Sequence, residues 1–139
     1  MMAGVRNWIG RFIRRQPAPA PALRGAPESP RIKRYTAMSG YVYEYVYRGF
    51  RDDGAGRRHS FTVSSDRKTW FDLEVAVDAE GLAGWERSNG RELNSAERYA
   101  VAKLALFEAF DERENPAAMR QPVDVPGERI AALLDKIEL

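Results

Sequence analysis

The chain has 139 residues, a formal net charge of +2, no cysteine and a single histidine. This length fits one domain with tails, and the composition excludes disulfide scaffolds, thiol catalysis, thiolate metal sites and histidine-based metal cages. No apolar run approaches the roughly 18 residues that a membrane-spanning helix needs.

The charge is distributed unevenly along the chain. Residues 1–34 contain eight basic side chains against Glu28 alone, whereas residues 35–139 contain 14 basic and 19 acidic side chains. The first part therefore has a net charge of +7 and the remainder a net charge of −5. Because the basic character belongs to the N-terminal part, the overall isoelectric point does not by itself indicate nucleic-acid binding by the domain.

The N-terminal segment, residues 1–15, is predicted to be a basic amphipathic helix that docks on a partner. Its apolar residues recur at the spacing that places them on one helix face. They are Val5, Trp8, Ile9, Phe12 and Ile13. The arginines around the rest of the circumference are Arg6, Arg11, Arg14 and Arg15. An isolated helix of this length is marginal in water, so we expect it to fold against another surface.

Several surfaces could receive this docking segment. The apolar stripe suits a groove on a protein partner, and the arginines suit an anionic membrane surface. The segment also has the arginine-rich character of a cleaved targeting peptide, or it packs on its own domain. Residues 16–34 are a Pro/Ala-rich linker that favours polyproline II and would hold the segment away from the domain. We therefore expect recruitment to a protein assembly or membrane surface, with a cytoplasmic location.

A run of alternating tyrosines predicts the first strand of an α+β domain that spans residues 35–139. Tyr41, Tyr43, Tyr45 and Tyr47 share one face of this strand, and Glu44 and Arg48 lie on the other. In one arrangement the tyrosines face the core together with the apolar residues of the next strands. In the other, Val42 and Val46 face inward, Glu44 is buried, and the rings form an exposed strip. The first arrangement is favoured because it leaves the charges outside.

Two further strands follow with clear alternation and intervening turns. The first places His59, Phe61 and Val63 on one face, and the second does the same with Phe71, Leu73, Val75 and Val77. The pattern predicts a meander of three or four antiparallel strands with one face exposed to water. Residues 79–93 contain several glycines and are predicted to be a loop.

The strongest helix prediction covers residues 95–113 and packs on one face of the sheet. Asn94 is placed as its N-cap and Glu97 as the reciprocal partner of a capping box, and Pro116 stops the helix. A second, short helix near the C terminus carries Ile130, Leu133, Leu134 and Ile137 on one side. This side packs on the domain or meets a second copy of the chain.

The candidate ligand-binding or polar-core residues are Lys103, Glu44, Tyr43 and Tyr45. Lys103 falls within the apolar stripe of the main helix, where an amine without a partner would be costly. Its aliphatic stem lies along the sheet while the ammonium reaches water, or the ammonium pairs with Glu44 or a ligand anion.

No catalytic set, metal site or cofactor is predicted. Ser65 and Lys68 have the spacing of a serine and lysine pair, but they lie in a predicted turn rather than at a helix start. Asp52 and Asp53 have arginines as neighbours, and these balance the charge of the two carboxylates without a metal ion. The sequence thus predicts a non-enzymatic adaptor recruited through residues 5–15. The alternative is a nucleic-acid-binding protein with a basic arm and a tyrosine-lined sheet face.

Overall fold

The structure, a computed structural model, describes residues 22–137. The strands are β1 (Lys33–Thr36), β2 (Val42–Asp52), β3 (Gly56–Ser64), β4 (Phe71–Asp78) and β5 (Val123–Val125). The α-helices in this part of the chain are α1 (Ala79–Asn89), α2 (Ser95–Glu112) and α3 (Gly127–Ile137), and a short 3-10 helix covers Ala118–Arg120.

The fold is α+β, as predicted, but the sheet is larger than expected and mixed. Its strands follow the order β1-β2-β3-β4-β5, and neighbours are antiparallel except for the parallel pair β4 and β5. The prediction of three or four antiparallel strands was therefore wrong in detail. Strands β1 and β5 are only four and three residues long. Neither is long enough for an alternation of apolar and polar residues to be recognised in the sequence. Each is a strand because it hydrogen-bonds to its neighbour in the sheet.

Two segment boundaries also differ from the predictions. Strand β1 begins at Lys33, so the predicted linker of residues 16–34 overlaps the sheet. Residues 79–89, predicted as a loop, form helix α1. The Asp78 carboxylate caps this helix by accepting from the backbone N–H of Gly81 at 2.8 Å, and Gly90 ends it in the left-handed conformation. The helix predicted for residues 1–15 lies outside the described residues.

The tyrosine strand places its rings toward the core. Tyr43 and Tyr45 are buried, Tyr47 is partly buried, and only Tyr41, which directly precedes β2, is 42% exposed. Tyr43 stacks on Phe110 of helix α2 with ring centroids 4.3 Å apart. The first of the two predicted arrangements is therefore correct for the rings, because burying them against α2 removes much apolar surface from water. The opposite face is not fully exposed, however, since Val46 and Glu44 are also buried there.

Helix α2 forms with the predicted capping box and covers the sheet. The Asn94 side chain accepts from the N–H of Glu97 at 2.8 Å, and the Glu97 carboxylate accepts from the N–H of Asn94 at 3.0 Å. Its buried residues span a wide arc, since α2 packs against both the sheet and α3. They are Val101, Ala102, Ala105, Leu106, Ala109 and Phe110.

Helix α3 packs on the same domain rather than leaving its apolar side free. Ile130, Leu133 and Leu134 are buried in the hydrophobic core together with residues of the sheet and of α2. None of the helices in residues 22–137 has the length and apolar character that crossing a membrane requires.

Candidate functional site

An open cleft of about 500 Å³ lies between strand β2, the start of helix α2 and the extended chain that precedes β1. We call residues 22–32 the arm. Most of the surface inside the cleft is apolar. Its lining comprises Gly25, Pro27, Ser29, Arg31, Lys33, Tyr45, Tyr47, Phe50, Ser95, Ala96 and Tyr99. This volume falls within the range of pockets that hold small organic molecules.

The arm forms one wall of the cleft because it is fastened to the far end of β2. Arg24 and Phe50 exchange two backbone hydrogen bonds, each 2.8 Å long. The Arg24 guanidinium also donates to the Asp52 carboxylate at 2.8 Å. Gly49, directly before Phe50, adopts a φ of 109° at a bulge where the register between β2 and β3 shifts. This left-handed conformation brings the arm close to the strand.

Tyrosine side chains from two elements form the floor of the cleft. Tyr47 of β2 and Tyr99 of α2 have ring centroids 4.6 Å apart. Burial raises the pKa of Tyr45 and the pKa of Tyr47 to about 12, with the neighbouring Tyr99 adding to both shifts. These hydroxyls therefore stay protonated near neutral pH and act as neutral hydrogen-bonding groups.

One end of the cleft is cationic. Lys33 pairs with Tyr45 across β1 and β2, so its side chain lies on the same sheet face as the tyrosine floor. Lys103 lies one helical turn after Tyr99 on α2, and its ammonium is 5.7 Å from the centre of the Phe107 ring. Burial, and then the charge of Lys33, lowers the pKa of Lys103. Lys33 thus lies in the cleft lining and Lys103 beside it, at the same end.

No acidic side chain of the described residues compensates this cationic end. The cleft lining contains no aspartate or glutamate, and neither Lys33, Lys103 nor Arg31 forms an ion pair within residues 22–137. The nearby Asp111 carboxylate is already engaged, because it accepts from the Tyr35 hydroxyl at 2.7 Å and from the backbone of Met38 at 3.0 Å. The cleft therefore combines apolar walls with positive charge at one end.

His59 lies beneath the cleft floor and is 1% exposed. Its Nδ1 is 2.9 Å from the Tyr47 hydroxyl, and its Nε2 is buried without a hydrogen-bond partner among the described residues. Burial, and then the charges of Arg57 and Arg98, lowers the pKa of His59 to about 4. Because the pKa of Tyr47 is raised to about 12, neither group changes its protonation near neutral pH: His59 is neutral and the Tyr47 hydroxyl is protonated. The pair is therefore poorly matched for acid and base catalysis.

The structure separates the four candidate site residues. Glu44 lies on the opposite sheet face from the tyrosines, where it is paired with Arg34 at 3.2 Å and Arg67 at 3.3 Å. Lys103 lies on the helix side, so Glu44 is not its partner. Tyr43 is fully buried, and its hydroxyl has no partner within residues 22–137. Of these four residues only Tyr45 lines the cleft, and Lys103 lies outside the lining, beside Phe107.

Sequence reasoning missed the arm and the start of α2 as parts of the site. The predicted docking residues in segment 5–15, from Val5 to Arg15, lie outside the described residues. The usable signal was Lys33, which alternates with Tyr35 on the core-facing side of a short strand. A four-residue strand gave that alternation too little length to be recognised.

The other polar groups singled out in the sequence have structural partners. The Asp66 carboxylate accepts from the backbone N–H groups of Lys68 and Thr69, both at 2.8 Å, which organises the turn that contains Ser65 and Lys68. Asp52 is paired with Arg57 and Arg24. Within residues 22–137, no group of three or more histidine, aspartate or glutamate side chains is placed to hold a metal ion.

Comparison of the chain with protein-family models, with curated proteins and with solved structures found no match in any of the three. The site is therefore interpreted from its own geometry and chemistry.

Proposed function

We propose that the protein is a non-enzymatic binding protein whose domain accepts an apolar ligand in the cleft between the arm, β2 and α2. The observation that carries this proposal is the cleft itself, a concave and mostly apolar site of about 500 Å³ with neutral tyrosine hydroxyls in its floor. Concave apolar sites with a few polar groups are the usual form of small-molecule sites.

The ionisable groups around the cleft support binding rather than catalysis. The buried His59 and Tyr47 do not change protonation near neutral pH, as described above. Lys33 and Arg31 are exposed side chains, and neither faces an acceptor that would activate it. A nucleophile adjacent to a matched base, which covalent catalysis requires, is not formed by these residues.

The nucleic-acid alternative receives less support from the geometry. It needs a strip of exposed rings on which bases stack. Tyr43 and Tyr45 lie instead beneath α2. Tyr41 is the one ring of the tyrosine strand that is largely exposed, and a single ring does not form a stacking platform.

Filling the cleft with a large side chain tests the proposal. Ala96 is exposed and lines the cleft in the first turn of α2, so Ala96→Trp is expected to occupy ligand space without disturbing the core. We expect the affinity for phenylnaphthylamine, a neutral fluorescent apolar probe, to fall by about tenfold or more, the equivalent of roughly 1.4 kcal/mol. Fluorescence titration of both proteins measures this change.

The matched control is Ala131→Trp, which adds the same side chain to an exposed position of α3 away from the cleft. This variant should bind the probe as the natural chain does, and both variants should keep the same thermal transition. Equal probe binding by the Ala96 and Ala131 variants would place the bound probe elsewhere and contradict the proposed role of the cleft.

We further propose that residues 5–15 recruit the domain to a larger protein assembly or a membrane surface. The support is the sequence pattern of five apolar residues on one helical face with arginines around it. Deleting residues 1–16 is expected to abolish co-purification with the partner and to leave the midpoint of thermal unfolding unchanged, because the core lies within the remaining chain. Affinity purification and calorimetry measure the two properties.

The double variant Trp8→Ala and Phe12→Ala separates the two kinds of surface. It removes apolar area while keeping every arginine, so binding to anionic vesicles should weaken less than binding to a protein groove. A marked loss of thermal stability in the deletion variant would instead make the segment part of the folded domain.

A further inference from the structure

We propose that the ligand of the cleft is an amphipathic organic anion, with an apolar body lying on the tyrosine floor and a single carboxylate or similar head group between Lys33 and Lys103. This inference rests on the proposed binding function and adds the chemical class of the ligand. The juxtaposition of an apolar concavity with two like charges at one end is the feature that leads to it.

The head-group site is built from two separate elements. Lys33 lines the cleft from edge strand β1, directly opposite Tyr45. Lys103 lies beside the lining on α2, one turn beyond Tyr99, with its ammonium 5.7 Å from the centre of the Phe107 ring. The centre of the Phe107 ring lies 5.7 Å from that of Tyr45, the residue opposite Lys33, so strand and helix bring the two amines to the same end of the cleft. An anion there would pair with both amines and remove their mutual repulsion, which neutral ligands cannot do.

The apolar body has room along the rest of the cleft. Phe50 closes the far end, where the Arg57 guanidinium lies 3.7 Å from the centre of its ring and the Asp52 carboxylate pairs with both Arg57 and Arg24. One positive charge therefore remains at the Phe50 end, against the two amines of Lys33 and Lys103, unpaired within residues 22–137, at the other end. This difference in charge orients a bound anion, with its head toward Lys33 and its tail toward Phe50.

Charge also argues against the chain's own N terminus as the occupant. Residues 1–21 contain four arginines and no acidic residue. Placing them at the cationic end would add like charge to Lys33, Lys103 and Arg31, which is unfavourable. A small anion from solution is the complementary partner.

Two fluorescent probes of nearly the same shape test the ligand class. Anilinonaphthalene sulfonate carries a negative charge, and phenylnaphthylamine lacks it. The full-length chain is expected to bind the sulfonate about tenfold more tightly than the neutral probe. Only the affinity for the sulfonate should weaken with added salt. Replacing both amines, Lys33→Met and Lys103→Met, should abolish this difference while the neutral probe binds as before.

The control removes the same charge elsewhere through Lys68→Met and Arg87→Met, two exposed positions outside the cleft lining. This control should keep the preference for the sulfonate. Equal binding of both probes by the natural chain, or equal effects of the two double variants, would overturn the anion inference and leave the cleft as an apolar site. Failure of both probes to bind would overturn the proposed function itself.

Competition identifies the occupant further. A medium-chain fatty carboxylate is expected to displace the sulfonate probe, whereas the corresponding alcohol should do so about tenfold less well. Displacement by an acidic peptide but not by the carboxylate would make the occupant a polypeptide and overturn the proposal. Tighter probe binding after deletion of residues 1–16 would show that the chain's own N terminus competes for the cleft, and it would also overturn the proposal.

Discussion

Replacing Gly49 with alanine is expected to destabilise the domain by about 3 kcal/mol and to open the cleft. The added Cβ would lie 2.5 Å from the carbonyl oxygen of Arg24, and the residue would have to hold a φ of 109° that alanine rarely adopts. Both the strained backbone and the clash act on the contact that fastens the arm to β2. Chemical denaturation measures the free energy of unfolding, and titration with phenylnaphthylamine measures the affinity of the cleft for the probe.

Gly40→Ala separates the two causes. Gly40 has a similar φ of 97°, but an added Cβ there would meet nothing within 4 Å. This variant should lose only the roughly 1 to 2 kcal/mol that the backbone conformation costs, and it should bind the probe normally. If the Gly49 variant binds the probe as tightly as the Gly40 variant does, the arm is not a wall of the cleft in solution.

Acid is expected to destabilise the domain through His59 before most carboxylates titrate. The pKa of His59 is about 4 in the folded chain, below its ordinary value of 6.5. Between these values the unfolded chain binds a proton that the folded chain does not, so stability is full above pH 6.5 and falls as the pH decreases toward 4. The expected loss is about 2 kcal/mol by pH 5 and about 3 kcal/mol when the folded state also titrates.

His59→Gln provides the comparison, because glutamine does not titrate but can still hydrogen-bond to the Tyr47 hydroxyl. Since His59 is the only histidine of the chain, the variant should have a nearly flat stability between pH 7 and pH 5. Denaturant unfolding at a series of pH values measures both slopes. Parallel slopes for the two proteins would mean that the neutral form of His59 is not favoured by the folded state.

Local sequence patterns were sufficient to predict the elements that are determined by residues close together in the chain. The alternation of Tyr43 with Tyr45, and of Phe61 with Val63, identified strands and their inner faces because side chains two residues apart share a face in any strand. The capping box of Asn94 and Glu97 was predicted for the same reason, since its donors and acceptors lie three residues apart. The buried face of α3 also followed from its helical spacing.

Helix α1 shows where local reasoning fails. Gly81 and Gly84 disfavour a helix by propensity, and the sequence was therefore interpreted as a loop. In the folded chain Leu82 is buried in the core, and Gly81 lies so close to Gly127 of α3 that a Cβ there would be 2.4 Å from the neighbouring backbone. Close packing between two helices therefore outweighs the propensity of the segment.

The sequence by itself determined the fold class, the central strands, the main helix and the division between a basic N-terminal part and a mildly acidic domain. Only the tertiary structure decided that the arm returns to Phe50, that Lys33 faces Tyr45, and that Lys103 lies on the other side of the sheet from Glu44. The physical reason is that these relations depend on hydrogen bonds and packing between distant parts of the chain, whereas periodicity reports only the exposure of residues within one element.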